Sequence, residues 1–450
     1  MEKRLSQGTR TGTERTSSEP GKILGVYPQK QEGLFMQRIK ILGGRLNWYQ
    51  WKVLAELAID FCNGTALHVT TRQDIELHNI ARKDLAVVQQ GLAEGALVTF
   101  GAGGDSIRNV TLCPGCDLHS DAYDLLPVAM LVHQFIEQQP VVFKLPRKFK
   151  ISFSGCQRAC VKPWLNDLGF IAQSDGRFTV VGAGSLGPRP ALGIELYRNV
   201  SAEDVLPLCI AAIEFFEQHG DRQNRRRARW RHVRERLGDE AFRTELDKRW
   251  REVIARREWP RISVTRGRGD RKEQCRLQLP DGNITPEEVL SLAEAVEAAG
   301  AITRIDLEHG IILYGPESVR IPADLIPMTK APVIVACPGS STCTRGLVDC
   351  QATAAKIRET FGDKDLSSVR INVSGCPNNC AQSAASQIGL VGMVRKSNGK
   401  SIPHYQILSG GGNGMSDALA EPSDVVPDEN VLVFIRGLLD KNTEHENNGS

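Results

Sequence analysis

Apolar positions along the chain first follow a helical period and then a strand period. From Leu54 to Phe61 they recur at intervals of three and four, and Asn63-Gly64 supplies a stop signal. The stretch 66–80 that follows is rich in β-branched residues and alternates between apolar and polar positions. The pattern predicts a helix followed by extended structure.

The same succession returns in the second half of the chain. Thr285 and Glu288 have the spacing of a capping box, and Pro286 stands at the first helical position. Apolar residues continue on one helical face up to Gly300, and the extended stretch 302–314 follows. A second unit like the first is therefore predicted.

Downstream segments repeat as well, because the stretch 150–156 is echoed by 370–376, each an extended run that ends in Gly-Cys. We interpret the chain as a tandem duplication. Two copies are too few for a solenoid, which buries a continuous core only with three or more repeats. The duplication instead predicts a pseudo-twofold α/β (α+β) protein with a site where the copies meet.

Composition shifts divide the predicted protein into seven segments. The basic stretch between the copies, rich in arginine from Arg222 to Arg236, is expected to be a solvated helix, with a docking face for an acidic partner as the alternative. The predicted segments are a disordered tail (1–21), first half-domain (22–95), first larger domain (96–220), basic helical linker (221–259), second half-domain (260–330), second larger domain (331–438) and disordered tail (439–450).

Charge and hydropathy exclude several classes of protein. The 56 basic and 53 acidic side chains among 450 residues leave a formal net charge of +3, so no nucleic-acid-binding polycation is predicted. The sequence contains neither an apolar run long enough to span a membrane nor a signal peptide. We therefore expect a cytoplasmic protein whose 12 cysteines are reduced and available as ligands.

Two cysteine pairs in the second copy are the strongest chemical signal. Cys337 and Cys343 are separated by five residues, and Cys376 and Cys380 by three. Four thiolates can hold a [4Fe-4S] cluster or a zinc ion. The five-residue gap is longer than zinc loops commonly use, which favours iron and sulfur.

The first copy carries pairs of its own with a different first gap. These pairs are Cys113 with Cys116 and Cys156 with Cys160. Three interpretations stay open for them: a second [4Fe-4S] cluster, a zinc site or unligated thiols. The remaining cysteines have no partner in sequence and are expected to be small buried hydrophobes: Cys62, Cys209, Cys275 and Cys350.

The second-copy signature, within the stretch 373–382, resembles that of the nitrite and sulfite reductase haemoproteins, and the resemblance extends from about residue 25 to 437. It implies a ferredoxin-like half-domain and a sirohaem- and [4Fe-4S]-binding domain in each copy. It also implies a cluster on Cys337, Cys343, Cys376 and Cys380, with Cys380 bridging to the sirohaem iron.

The resemblance also implies a cationic pocket for a small oxyanion. The matching positions are Arg72, Arg108, Lys148 and Lys150, and further sirohaem contacts fall on Gln73, Asn109 and Asn378. The two lysines stand two apart, so on a strand they project from one face. A rough alignment pairs these cations with His309, Ser368 and Arg370 in the second copy, which do not repeat the set.

The predicted reaction is the six-electron reduction of sulfite to sulfide. Lys150 carries this choice, because nitrite-preferring relatives commonly have asparagine there, and nitrite reduction to ammonia is the alternative. A cobalamin-pathway precorrin mono-oxygenase and a zinc or electron-relay protein are the rivals. The glycine run 182–187 lacks the following helix of a nucleotide fingerprint, so electrons are expected from ferredoxin or a separate flavoprotein.

Overall fold

The computed structural model describes residues 20–139, 144–316, 318–362, 366, 369–397, 399–412, 414 and 418–447. The helices are α1 (Pro20–Ile23), α2 (Trp48–Phe61), α3 (Leu85–Glu94), α4 (Leu126–Glu137), α5 (Ala202–His219), α6 (Trp230–Leu237), α7 (Asp239–Ala255), α8 (Pro286–Ala298), α9 (Cys350–Phe361) and α10 (Val431–Asn447).

The strands of the first copy are β1 (Val26–Pro28), β2 (Leu34–Ile39), β3 (Arg45–Leu46), β4 (Leu67–Val69), β5 (Ile75–Ala81), β6 (Thr111–Leu112), β7 (Tyr123–Asp124), β8 (Ile151–Ser154), β9 (Leu168–Ala172), β10 (Phe178–Gly182) and β11 (Ile194–Val200). Those of the second are β12 (Thr265–Arg266), β13 (Lys272–Gln278), β14 (Asn283–Ile284), β15 (Ile302–Ile305), β16 (Gly310–Gly315), β17 (Ile334–Ala336), β18 (Ile371–Ser374), β19 (Ile388–Ser397), β20 (Lys400–Ser409) and β21 (Glu421–Pro427).

Two sheets of the same design belong to the larger domains. In the first copy the order is β11-β10-β9-β8-β6, and in the second it is β17-β18-β19-β20-β21. In each, three parallel strands are followed by two antiparallel ones. The shared topology confirms the duplication that the sequence repeats predicted.

The two half-domains exchange short strands. β14 of the second copy pairs with β4, and β3 of the first copy pairs with β15. Helices α2 and α8 pack against each other, so one hydrophobic core contains apolar residues of both copies. The halves are therefore joined through backbone hydrogen bonds as well as apolar packing.

Both predicted helices are confirmed, together with their start signals. Asn47 caps α2 and forms a capping box with Gln50, and Thr285 does the same for α8 with Glu288. The extended stretches after them form the hairpins β4–β5 and β15–β16. These elements follow from local sequence because caps and periodicity act within one or two turns.

The basic segment expected to be a solvated linker instead packs into the first copy. It forms α6 and α7, and Trp230 is fully buried between Phe149 and Phe242. The apolar residues among the arginines supply the driving force, since burying such a side chain contributes about 1.5–3 kcal/mol.

The C-terminal stretch differs from its prediction as well. Helix α10 continues to Asn447, so much of the predicted disordered tail is helical. Val431, Ile435 and Leu439 form its buried face, and once a helix is nucleated each further residue adds a hydrogen bond. Most of the other predicted tail, residues 1–19, lies outside the described residues.

Candidate active site

The loops that carry the four second-copy cysteines leave the same edge of one sheet. Cys337 follows β17 and Cys376 follows its parallel neighbour β18, and the Cys337 amide donates to the Val373 carbonyl at 3.2 Å. A β-carbon on Gly375 would lie 2.7 Å from the α-carbon of Gly339. Two glycines therefore allow the two loops to approach closely.

The four thiols are electrostatically coupled. Burial raises the pKa of the Cys380 thiol to about 12, and the negative charges of Cys337, Cys376 and Cys343 act in the same direction. Lys148 opposes them, so its ammonium group is also within electrostatic reach of Cys380. The side chain of Cys380 is nevertheless open to solvent on one side, and we call the space between Cys380 and Lys148 the recess.

A fifth cysteine lies beside this group. The Cys350 thiol donates to the Cys337 carbonyl at 2.7 Å, and its sulfur is 3.7 Å from the Cys337 sulfur. Hydrogen bonding to Cys350 lowers the pKa of Cys337 to about 7. Sequence reasoning treated Cys350 as an isolated buried residue, because its contact with Cys337 forms only where α9 begins behind the loop.

The two lysines approach the recess from the first copy. They flank Phe149, which is buried against Phe216 and Trp230 and pairs with Ile107 just before β8 begins. Because alternate residues of extended backbone point to opposite sides, we expect both lysine side chains on the side away from Phe149. Neither ammonium group has a hydrogen-bond or ion-pair partner among the described residues. Burial lowers the pKa of Lys148 to about 7 and that of Lys150 well below its usual range, and neighbouring arginines add to both effects.

Two arginines, Arg72 and Arg108, join the two lysines in a group that we call the cationic wall. The Arg72 guanidinium donates to Asn166 Oδ1 at 2.8 Å and to the Asn109 carbonyl at 2.6 Å, and burial lowers its pKa to about 10. Arg108 donates to the carbonyls of Ala102 and Gly104 at 2.9 and 2.8 Å. In both arginines the Nε atom is buried without a partner. All four predicted cations thus belong to one region of positive potential.

Direct hydrogen bonds join the cationic wall to the thiol loops. Thr71 Oγ1 donates to the Cys380 carbonyl at 2.9 Å, and Gln382 Nε2 donates to the Thr71 carbonyl at 3.2 Å. The hairpin that carries Arg72 therefore abuts the loop that carries Cys380. Cations of the first copy therefore line one side of the recess, and thiols of the second copy line the opposite side.

The three further predicted contacts occupy different environments. Gln73 is fully buried, and its amide bonds to the backbone of Leu112 and Ile305, which favours a structural role. Asn109 donates to two carbonyls, but its Oδ1 atom is buried without a partner. Asn378 is exposed and donates a side-chain hydrogen bond to Cys376.

These unpaired groups are chemically suited to a polycarboxylate tetrapyrrole and an iron–sulfur cluster. Arg72 Nε and Arg108 Nε are buried donors without a partner, and buried donors normally have partners. The ammonium groups of half-buried Lys148 and Lys150 add two donors that are free to bind an anion. The four thiols are the ligand type that iron–sulfur clusters require. The residues present therefore fit both groups.

One residue that sequence reasoning did not assign is Arg229. Its guanidinium donates to Asp167 from Nη2 at 2.7 Å and from Nε at 3.3 Å, and Asp167 is fully buried. The same carboxylate accepts the backbone N–H of Lys150 at 2.8 Å. Arg229 also lowers the pKa of both pocket lysines. It lies inside the arginine run, where charge alone does not distinguish it from its exposed neighbours.

The duplicated counterpart of the pocket is neutralised. The turn that carries Arg72 has the same hydrogen bonds in both copies. In the first copy Thr70 Oγ1 accepts the backbone N–H groups of Arg72 and Asp74. In the second copy Asp306 Oδ1 accepts the backbone N–H groups of Glu308 and Gly310. The counterpart of Arg72 is therefore Glu308, one residue before the His309 of the rough alignment.

Glu308 is surrounded by cations of its own copy and of the first. It lies 3.5 Å from Lys162 and 3.3 Å from Arg370, which occupies the position of Lys150. Ser368 lies outside the described residues. The copies meet at two seams, one with Lys148 and Lys150 and the other with Glu308. They differ in charge, because among the described residues the cations around Glu308 are paired and the two lysines are not.

Two family profiles match this chain. The profile described as "Nitrite and sulphite reductase 4Fe-4S domain" matches residues 103–254 and 328–449. The profile described as "Nitrite/Sulfite reductase ferredoxin-like half domain" matches residues 27–95. The 4Fe-4S profile thus matches a segment of each copy, but its description names no second cluster, and the expectation of a second cluster receives no support.

Similar curated proteins are ferredoxin–nitrite reductases. The spinach chloroplast enzyme is 30% identical over 442 residues, which cover 89% of this chain and 74% of that protein. The enzyme of Synechococcus elongatus is 27% identical, and the match covers 89% of this chain and 84% of that protein. The assimilatory enzyme of Haloferax mediterranei is also 27% identical, and the match covers 90% of this chain and 80% of that protein.

A solved structure supports the fold. The NirA protein of Mycobacterium tuberculosis superposes with a TM-score of 0.77 at 20% identity, and the match covers 92% of this chain and 85% of that one. Among the described residues no helix is long and apolar enough to cross a membrane. The chain therefore belongs to the nitrite and sulphite reductase family, oxidoreductases for which a [4Fe-4S] cluster and sirohaem are implied.

Proposed function

We propose that this chain reduces nitrite to ammonia with electrons from a ferredoxin. The observation that carries the proposal is the pair of unpartnered ammonium groups, Lys148 and Lys150, in the recess that also exposes Cys380. Unpaired cations in a partly desolvated recess bind small anions strongly, because screening by water is reduced there. The names of the similar proteins supply the choice of nitrite and ferredoxin.

Cys337, Cys343, Cys376 and Cys380 would hold the cluster, and Arg72, Arg108 and Asn109 would contact the sirohaem. When bound, these groups supply electrons to an anion held at the haem iron. The pocket lysines hold that anion by charge. Burial, Arg72 and the neighbouring Lys148 lower the pKa of Lys150, whereas a bound anion favours its protonated form. The ammonium group that anion binding favours holds the anion and is also disposed to donate a proton.

The preference for sulfite, predicted from Lys150, is not supported. Three ferredoxin–nitrite reductases resemble this chain over about nine-tenths of its length. The presence of a lysine at position 150 is better explained by its surroundings. Its backbone N–H donates to Asp167, and its ammonium group can attract either nitrite or sulfite. Sulfite reduction becomes the second candidate, which the same pocket would serve.

Turnover of each anion by the holoenzyme tests the substrate. With reduced methyl viologen as donor, we expect kcat/KM for nitrite to exceed that for sulfite. Lys148→Met should lower kcat/KM for nitrite by about 10²-fold, the usual effect of removing one group that stabilises developing charge. Lys83→Met, which removes an exposed lysine of the same copy, should change nothing. Faster turnover of sulfite than of nitrite would refute the proposal.

The donor can be tested at the exposed part of the basic segment. Arg225 and Arg227 are paired with Asp105 and Glu235, whereas exposed Arg226 has no partner among the described residues. We expect Arg226→Glu to raise KM for ferredoxin at low salt and to leave the viologen-driven rate unchanged, because a rim charge acts mainly on association. Arg198→Glu, an exposed arginine on β11, is the matched control.

A further inference from the structure

The first-copy cysteines occupy the same places in their sheet as the second-copy cluster ligands. Cys113 follows β6 and donates its backbone N–H to the Phe153 carbonyl at 3.0 Å, as Cys337 does to Val373. Cys156 follows β8 as Cys376 follows β18. The duplicated fold has therefore brought a second set of thiols to a second sheet edge.

Three of these thiols are in contact, because Cys113 touches both of the others. The sulfur atoms of Cys113 and Cys160 are 2.9 Å apart, and Cys113 also hydrogen-bonds to Cys156. Cys116 faces the loop that carries Cys156, since a β-carbon on Gly155 would lie 2.7 Å from the Cys116 β-carbon. The Cys116 thiol is within electrostatic reach of Cys113 and Cys160, so it lies next to the three thiols that are in contact.

The compactness of this set indicates a single ion. Tetrahedral zinc binds thiolates at about 2.3 Å, which places their sulfur atoms about 3.8 Å apart. The contact between Cys113 and Cys160 needs to open by about 1 Å to reach that spacing. In the second copy, by contrast, the four ligand sulfurs make no mutual contact among the described residues, as the larger cluster requires.

Spacing along the chain agrees with the geometry. The gaps of two and three residues both fall within the range common in zinc loops, whereas the gap between Cys337 and Cys343 does not. Among the described residues no three ligand side chains already stand in a coordinating arrangement, in either copy. Binding therefore requires small side-chain movements at both sets.

The surroundings favour a structural ion over a catalytic one. The seam on this side is closed by ion pairs, because Glu308 binds both Lys162 and Arg370. Lys162 follows Cys160 by two residues and is buried. A metal ion whose four ligands are all protein thiolates has no open coordination position for a substrate.

We propose that Cys113, Cys116, Cys156 and Cys160 bind one structural zinc ion. The ion would tie the loop after β6 to the loop after β8, which no disulfide does. This site is separate from the proposed function, and its occupancy is independent of which anion the enzyme reduces.

The test is the metal content of the purified holoenzyme. After treatment with EDTA to remove loosely bound metal, we expect about one zinc per chain in addition to the iron of the sirohaem and one cluster. Cys116→Ser should lose the zinc and keep the visible absorbance and iron content. Cys116→His, which restores a zinc ligand, should retain it. Cys275→Ser, a half-buried cysteine on β13, is the matched control and should keep one zinc.

Cobalt provides a second readout that does not depend on activity. Co²⁺ added to the zinc-depleted chain should produce the intense thiolate charge-transfer absorption of a tetrahedral site, and Cys116→Ser should abolish it. Zinc-free wild-type protein overturns the proposal, whether its iron content indicates one cluster or two. Equal zinc loss in Cys275→Ser and Cys116→Ser also overturns it.

Discussion

Removing Arg229 should destabilise the first copy far more than removing a typical surface arginine. Asp167 has a side-chain exposure of 0% and Arg229 of 11%, and they share two hydrogen bonds. Arg229→Ala leaves the carboxylate buried without its cation, which costs about 3–5 kcal/mol. The matched control is Arg234→Ala, which breaks a more exposed pair with Asp239 and should cost about 0–1 kcal/mol.

Urea unfolding followed by tryptophan fluorescence measures both values. All six tryptophans precede residue 260, and Trp230, the residue after Arg229, is fully buried, so the emission reports on the first copy as a whole. The double variant Asp167→Asn with Arg229→Met removes both charges. It should cost at least about 1 kcal/mol less than the sum of its two single variants, because no buried charge is left unpaired.

Two results would refute this reasoning. Equal losses in Arg229→Ala and Arg234→Ala would show that the buried pair contributes no more than an exposed one. Strictly additive costs in the double variant would show that Asp167 and Arg229 do not interact. We also expect Arg229→Met to raise KM for nitrite, since Arg229 contributes positive potential at both pocket lysines.

Three further predictions concern the pocket, the thiol loops and stability in acid. Lys150→Met should raise KM for nitrite about tenfold in the viologen assay, because the anion loses one partly desolvated cation; unchanged kinetics would contradict its role. Gly375→Ala should abolish iron binding, since its β-carbon would lie 2.7 Å from the Gly339 α-carbon, whereas Gly437→Ala on α10 meets no atom within 4 Å and should leave iron content intact. Burial and the charge of a nearby lysine lower the pKa of His133 to about 4, whereas in the unfolded chain it is about 6.5. The contribution of His133 to stability is therefore complete above pH 6.5 and is lost as the pH falls towards 4. His133→Gln should remove that loss, which amounts to about 2 kcal/mol between pH 8 and pH 5, in urea titrations at those two pH values; identical pH dependence in both proteins would contradict the assignment.

The sequence by itself determined the elements whose causes are local. The caps at Asn47 and Thr285, the two hairpins and the Gly-Cys ends of β8 and β18 all follow from signals within a few residues. The family resemblance also predicted the four thiols and the four cations as site residues, because each lies in a short motif.

Only the tertiary structure decided which charges are paired. Arg229 is one of many arginines in its segment, and its importance comes from Asp167, 62 residues away. Glu308 neutralises one seam while Lys148 and Lys150 remain unpaired at the other, although the two copies share one topology. Pairing depends on contacts between distant segments, and the energy of a charge depends on the burial that those contacts create. That dependence is why periodicity and motifs predicted the elements of this protein but not the balance of charge between its two seams.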